Sequence, residues 1–147
     1  METMSLEAAR NAVLGAVDAA EAELVSAARK IHARPELGGE EVFASALAAS
    51  ILEASGFEVE RGYAGLPTAF LARKRRGQGR RVAFLAEYDA LPELGHACGH
   101  NLICASALAA GLGLGAALDA GAASGEVLVY GTPAEETDGA KAAMAGK

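Results

Sequence analysis

The chain has 147 residues, of which 52% are hydrophobic and 22% charged, and its formal net charge is −6. This length and composition indicate one globular domain and exclude intrinsic disorder, and the acidic balance argues against nucleic acid as a partner. Two cysteines are too few for a disulfide scaffold, and the acidic N-terminus lacks the basic and apolar segments of a signal peptide, so we expect a cytoplasmic protein.

Two helices are predicted in the first third of the chain. From Ser5 to about Ala33, apolar residues recur at roughly helical spacing. Pro35 ends this helix, because the residue before a proline disfavours helical geometry. Residues 40–55 form the second predicted helix, and Gly56 is a suitable C-cap just beyond its end.

The hydrophobic period then changes to two, which indicates strands. Residues 57–60 alternate like a half-buried strand. Apolar runs at 68–72 and 82–85 flank a basic segment that contains Gly77 and Gly79, and this pattern predicts a hairpin. The basic residues at 73–76 and 80–81 are interpreted as its solvated turn in preference to an anion site.

A third helix is predicted from Leu102 to about Ala120. Its uncharged stretch is shorter than the ~20 residues of a usual membrane span and follows a polar motif directly, so a buried core helix is favoured and no membrane partner is expected. Residues 126–131 predict a short buried strand, and a fourth helix is predicted from Lys141. Helices flanking apolar strands indicate an α/β layered domain.

Ligand-type residues concentrate in three segments, at 86–92, 95–101 and 131–136. Two of these segments follow predicted strands and one precedes a predicted helix. The ends of strands are where α/β sheets usually carry their sites. The three segments are therefore the candidates for one functional site.

His96, Cys98 and His100 occupy every second position of the middle segment. If this segment is extended, the three side chains point the same way. Thiolate and imidazole together suit zinc, with manganese or another first-row metal also possible. The alternative is a polar turn whose histidines only form hydrogen bonds. A complete zinc finger is disfavoured, because no second Cys/His pair stands at finger spacing.

Two adjacent carboxylates, Glu135 and Glu136, can divide the work of a metal-dependent hydrolase. One can bind the metal while the other acts as general base on a metal-bound water. The alternative is an ordinary solvated helix N-terminus.

Three further residues have open interpretations. Asp89 can accept a hydrogen bond from a metal-bound imidazole, or it can cap a turn before Pro92. His32 belongs either to the site or to a helix end, where it interacts with the helix dipole. Cys104 is most simply a small core residue.

The three segments together resemble the aminoacylase/carboxypeptidase-G-like family of metallopeptidases. Within it they resemble the amidohydrolase branch, which includes hippurate hydrolase and indole-acetyl-amino-acid hydrolases. The sequences of residues 87–92, 95–102 and 131–136 are especially similar to those of the p-aminobenzoyl-glutamate hydrolase and peptidase-domain dipeptidase subgroup. The stretch around His32, Pro35 and Glu36 fits the same subgroup, as does Asn101, where much of the branch has Asp.

The resemblance implies a role for five residues. Three match metal ligands: Cys98, His100 and Glu136. Glu135 matches the general base. Asp89 matches an Asp that orients a metal-binding His two residues before it in the wider family, although this chain has Glu87 at that earlier position. The resemblance identifies no substrate-binding residue.

The resemblance also implies that residues 1–147 are the N-terminal part of a zinc-peptidase-like catalytic domain, truncated at the C-terminus. In such a domain a central mixed sheet is flanked by helices, and the lid and dimerisation domain would be absent here. Full-length relatives would bind two divalent ions, Zn²⁺ or Mn²⁺, with two further His ligands downstream, and would form homodimers.

The implied function is metal-dependent hydrolysis of amide bonds in N-acyl amino acids, dipeptides or aryl-glutamate amides. The alternative is a truncated or split, catalytically inactive fragment that binds metal weakly or needs a C-terminal partner. A sheet without its later strands would leave an open edge, so we expect the chain to be poorly soluble or only partly folded.

Overall fold

The computed structural model describes residues 6–146. Within them lie four α-helices and four β-strands: α1 (Leu6–Ala33), α2 (Val42–Ala54), β1 (Glu58–Arg61), β2 (Phe70–Arg76), β3 (Arg80–Ala86), α3 (His100–Asp119), β4 (Gly125–Gly131) and α4 (Ala140–Met144). The predicted start of the first helix, Ser5, lies outside the described residues. The predicted α/β class is confirmed.

Both ends of α2 are fixed by specific hydrogen bonds. The Glu36 carboxylate accepts the backbone N–H groups of Phe43 (3.0 Å) and Ala44 (2.9 Å), which have no partner within the helix. At the other end Gly56 has φ +80° and donates to the Glu53 carbonyl, while the next residue donates to the carbonyl of Leu52. This pair of bonds is the Schellman motif, and it confirms the predicted C-cap.

The four strands form one mixed sheet in the order β1-β2-β4-β3. β2 pairs antiparallel with β1 and β4, whereas β3 pairs parallel with β4. The predicted hairpin between β2 and β3 is therefore wrong, because β4 lies between them. Arg76 and Arg80 stand in register with Gly125 on opposite sides, so residues 77–79 pass around the start of β4.

Glycine is required where the chain passes around β4. A Cβ atom on Gly79 would clash with the Ser124 carbonyl oxygen, and one on Gly125 would clash with the Arg80 carbonyl oxygen. Gly79 and Gly125 therefore permit close backbone approach, rather than forming a hairpin turn.

The interpretation of the basic residues at 73–76 and 80–81 as a solvated turn is wrong, because the last two belong to β3 and the first four to β2. Two of them reach the C-terminus of α3. The Lys74 ammonium lies 2.5 Å from the Asp119 carboxylate, and Arg76 donates to the carbonyls of Leu118 (2.8 Å) and Asp119. Cations are favourable at this end of a helix, where the last carbonyls have no helical partner.

Helix α3 packs along α1 on one face of the sheet, as a core helix does. By length and composition it is also the one helix among residues 6–146 that is apolar enough to cross a membrane, and half of its apolar window is buried in the protein. Buried residues of three helices and the sheet form the main core, among them Ile31, Leu52, Phe70, Leu108 and Val129. Burying one such side chain contributes about 1.5–3 kcal/mol.

Candidate metal centre

The candidate site lies at the edge of the sheet where the parallel strands β3 and β4 end. The backbone N–H of Thr132, just after β4, donates to the carbonyl of Ala86, the last residue of β3 (2.9 Å). Parallel strands bring their carboxyl ends to one edge, so residues 87–92 and 132–136 lie side by side. Helix α3 begins at the same edge with His100.

His100 is buried and its Nδ1 atom is held by Asp89. The distance from Nδ1 to Asp89 Oδ1 is 2.9 Å, and the distance to the Asp89 carbonyl oxygen is 3.0 Å. Asp89 itself is completely buried. A carboxylate acceptor at Nδ1 assigns the imidazole proton to that atom and leaves the lone pair on Nε2, which is the arrangement of a metal-binding histidine.

Three carboxylates surround the Nε2 atom of His100. It lies 3.3 Å from Glu87 Oε2, 3.6 Å from Glu136 Oε1 and 3.8 Å from Glu135 Oε2. So much negative charge around one imidazole nitrogen favours a cation at this point.

Cys98, His100 and Glu136 can offer their ligand atoms to one ion. The atoms all lie within 4.8 Å of one another. Gly99, between the first two, has φ +82°, and this turn brings the thiol and the imidazole to the same side. Sulfur, nitrogen and carboxylate oxygen are ligands that zinc accepts, so the donor set fits a divalent metal ion.

His96 lies outside this cluster, because residues 96–100 are not extended. Residues His96–Cys98 form a 3₁₀ turn, and Gly99 reverses the chain before α3. The His96 ring is buried, and its centroid lies 6.3 Å from that of the His32 ring. Neither nitrogen of His96 makes a hydrogen bond with the described residues. Burial, the largest cause, and the charges of His32 and His100 lower the pKa of His96.

The loop that carries Glu135 and Glu136 is fixed to Asp89 through its backbone. The N–H of Glu136 donates to Asp89 Oδ2 at 3.0 Å. Asp89 therefore uses one oxygen for His100 and the other for this loop. Its side chain joins the segment after β3 to the segment after β4.

Lys141, in α4, contacts the site, whereas the sequence predicts only the start of a helix there. Its ammonium bonds to the Glu87 carboxylate and lies 3.6 Å from Glu135 Oε1. Burial by itself lowers the pKa of Lys141, but the hydrogen bond and charge of Glu87 and the charge of Glu135 outweigh it, so the pKa is raised. Nothing in the local sequence pattern places a lysine of a short helix opposite Glu87.

Other candidate residues lie outside the cluster. His32 is exposed in the last turn of α1, where a histidine interacts favourably with the helix dipole. The Asn101 amide donates to the Ala28 carbonyl (3.3 Å) and so joins α3 to α1. Cys104 is completely buried in the core, and burial raises the pKa of its thiol to about 12.

Comparison with known proteins gives relatives of one kind. The chain is 46% identical over 137 residues to mouse Xaa-Arg dipeptidase, covering 85% of this chain and 32% of the mouse protein. It is 35% identical over 147 residues to one of the subunits of p-aminobenzoyl-glutamate hydrolase from Escherichia coli K12, covering 88% and 30%. The chain thus spans about a third of the length of these relatives. No family model matches the sequence.

A solved structure extends the likeness to the fold. A dinuclear metal binding peptidase of the M20 family from Bacillus subtilis superposes with a TM-score of 0.66 and 28% identity, covering 81% of this chain and 36% of that protein. The resemblance based on the three sequence segments is thereby confirmed: over most of its length the chain is similar to part of metallopeptidases of the aminoacylase/carboxypeptidase-G-like, or M20, family.

Proposed function

We propose that this chain contributes metal ligands and the general base to a hydrolase that cleaves amide bonds in N-acyl amino acids, dipeptides or aryl-glutamate amides. The observation that carries the proposal is the position of His100, whose Nδ1 is held by buried Asp89 while Nε2 faces three carboxylates. Relatives named as a dipeptidase and an aminobenzoyl-glutamate hydrolase support this substrate class.

Cys98, His100 and Glu136 would hold one divalent ion, with Zn²⁺ or Mn²⁺ as candidates. When bound, such an ion supplies a Lewis acid for the amide carbonyl and makes water acidic near neutral pH. Asp89 keeps the His100 proton on Nδ1 and so keeps Nε2 free to bind.

Glu135 is the proposed general base. Its carboxylate lies 3.8 Å from His100 Nε2, close to the proposed ion but outside the three-ligand group. It would take a proton from the water that attacks the carbonyl carbon, and would deliver that proton to the amine nitrogen as the C–N bond breaks. Its other oxygen, Oε1, lies 3.6 Å from the Lys141 ammonium.

A second candidate function is that of a half-site that binds metal weakly and needs a partner. This function is favoured because Cys98, His100 and Glu136 are the one set of candidate metal ligands found among residues 6–146. A second ion would require ligands beyond this set. Three further expectations also stay predictions. They are that residues 1–147 are part of a catalytic domain, that the full-length protein forms homodimers, and that it is cytoplasmic.

The test is metal binding and amide hydrolysis by the purified chain, with Zn²⁺ or Mn²⁺ and a panel of N-acyl amino acids, dipeptides and aminobenzoyl-glutamate. We expect Cys98→Ser and His100→Ala to abolish tight binding, measured by competition with a chromogenic chelator. Glu135→Gln should retain the metal and lose turnover, and Glu21→Gln on the exposed face of α1 is the matched control. Metal binding without turnover in the unmodified chain would favour the half-site, and turnover unaffected by Glu135→Gln would exclude this base.

A further inference from the structure

Glu41 is a completely buried carboxylate immediately before α2, far in sequence from the candidate metal ligands. Its Oε1 atom accepts the backbone N–H of Ala134 at 2.7 Å, and its Oε2 atom accepts the hydroxyl of Thr68 at 2.9 Å. A carboxylate is costly to bury unless hydrogen bonds compensate it, so each of these bonds matters to the local structure.

The first of these bonds holds a residue in an unusual backbone conformation. Ala134 has φ +54°, a value in the left-handed region that non-glycine residues rarely adopt. Such a conformation persists only where surrounding contacts enforce it. Ala134 directly precedes Glu135, so the conformation that Glu41 stabilises sets the direction in which the proposed base leaves the backbone.

The segment before Glu41 lies directly against the same loop. A Cβ atom on Gly38 would lie 3.0 Å from Ala134 Cα and 2.5 Å from Thr137 Oγ1. The carbonyl of Glu36 accepts the N–H of Ala90, next to Asp89, at 2.8 Å. Residues 36–41 therefore contact both halves of the candidate site.

The loop is held on both sides of Glu135 by buried carboxylates. Glu41 binds the N–H of Ala134, and Asp89 binds the N–H of Glu136. A further bond joins these two supports, because the Tyr88 hydroxyl donates to the carbonyl of Thr68 at 2.6 Å. The network connects Glu41, through Thr68, to Tyr88, which directly precedes Asp89.

We propose that Glu41 is a positioning residue, which fixes Glu135 and Glu136 relative to His100 without contacting metal or substrate itself. The effect of Glu41 on metal binding and hydrolysis rests on the proposed function, in which this loop carries a metal ligand and the general base. The structural content of the proposal, the control of the Ala134–Glu136 backbone by Glu41, can be measured without metal.

The test compares Glu41→Ala and Glu41→Gln with Ile51→Val, a control substitution in the core-facing side of α2. Amide hydrogen exchange of the metal-free chain is measured by NMR at Ala134 and Glu136, with Val129 in β4 as the internal reference. We expect Glu41→Ala to accelerate exchange at both loop amides relative to Val129. Glu41→Gln should restore most of the protection, because its amide oxygen can still accept from Ala134.

The second readout is Zn²⁺ affinity at a temperature where all variants are folded by near-ultraviolet circular dichroism. Loss of a residue that supports metal ligands typically weakens binding by about 10- to 100-fold, and we expect Glu41→Ala to fall in this range and Ile51→Val to bind like the unmodified chain. Equal exchange or equal affinity in Glu41→Ala and Ile51→Val would overturn the proposal. If the unmodified chain binds no metal, the proposed function fails, while the exchange measurement still decides the role of Glu41.

Discussion

Asp89 satisfies two groups that lie far apart in the sequence. One carboxylate oxygen holds the His100 imidazole and the other accepts the N–H of Glu136, and the side chain is completely buried. An amide at this position could still accept from the imidazole. It could not accept from both groups with both of its atoms, because its nitrogen is only a donor.

We therefore predict that Asp89→Asn weakens Zn²⁺ binding by about 10- to 100-fold. The cause would be loss of the bond to the Glu136 backbone and weaker control of the His100 tautomer. Chelator competition measures the effect, with Asp18→Asn on the exposed surface of α1 as the control. Unchanged affinity in Asp89→Asn would mean that Asp89 does not support the metal ligands.

At the scale of single residues, the sequence identifies the functional residue types better than the directions in which their side chains point. Cys98, His100, Asp89 and the two glutamates do converge, as their place in three polar segments had predicted. The grouping of His96 with Cys98 and His100 is wrong, because the alternating sequence pattern does not reveal the positive φ of Gly99 or the 3₁₀ turn before it. Glu41 had no signal, since its partners Ala134 and Thr68 are 93 and 27 positions away.

Helix α3 approaches the sheet so closely that one of its glycines has no room for a side chain. A Cβ atom on Gly111 would lie 2.5 Å from Cγ2 of Val129 in β4. On α1, by contrast, Gly15 is exposed and a Cβ atom there would meet nothing within 4 Å. These two glycines occupy the same kind of helical backbone in opposite environments.

We predict opposite effects of the same substitution at the two positions. Gly111→Ala should destabilise the protein by roughly 1 kcal/mol, because an overpacking cost of about 1–3 kcal/mol exceeds the helix-propensity gain of about 1 kcal/mol. Gly15→Ala should stabilise it by about 0.5–1 kcal/mol. Urea denaturation measures both, and a stabilised Gly111→Ala variant would show that the helix can move away from β4.

Among the elements, helices were easier to predict than strand pairing. The ends of α1 and α2 follow from Pro35 and Gly56, whose effects are local. The paired residues of β2 and β4 are 49 (Arg76 and Gly125) to 61 (Phe70 and Gly131) positions apart, so a pattern within one segment cannot indicate the pairing. The two glycines near the predicted turn carried the misleading signal, because glycine marks both tight turns and close backbone approach.

The stability of the whole molecule should fall at alkaline pH. Burial raises the pKa of the Cys104 thiol from 9.0 to about 12, and burial also raises the pKa of Tyr88 well above 10.0. Between the unfolded and folded pKa values the folded protein keeps a proton that the unfolded chain loses. Stability from these groups is therefore complete below pH 9 and decreases as pH rises further.

We predict a decrease of roughly 1 kcal/mol per pH unit for each group within its window above pH 9. Urea denaturation from pH 8 to 11 measures the slope. Cys104→Ala should make the slope shallower from pH 9 upward, and Tyr88→Phe should do so from about pH 10. Both substitutions also change the absolute stability, so the slopes of stability against pH are compared. Curves for a variant and the unmodified chain that run parallel would show that the substituted group does not cause the decrease.

Strand β3 forms one edge of the sheet within residues 6–146, and it carries exposed apolar side chains. Val82 is 41% exposed and Leu85 is 48% exposed. An unpaired edge with apolar residues favours association with another chain.

We predict concentration-dependent self-association of the purified chain, observed by sedimentation velocity. Leu85→Lys should reduce it, because a lysine on an edge strand opposes pairing. Leu14→Lys is the matched control, since Leu14 is also 48% exposed but lies on α1. A similar reduction by both variants would locate the association elsewhere.

The place of β4 between β2 and β3 also has a consequence for the order of folding. β2 and β3 follow one another directly, yet neither can complete its ladder until β4, about forty residues later, enters between them. Closing such a loop has an entropic cost before any pairing compensates it. Only the antiparallel pair of β1 and β2 can form locally, and the centre of the sheet must wait for β4. During synthesis on the ribosome, Asp89 and His100 would emerge well before Glu136. The two halves of the metal site would therefore meet only in the step that completes the centre of the sheet.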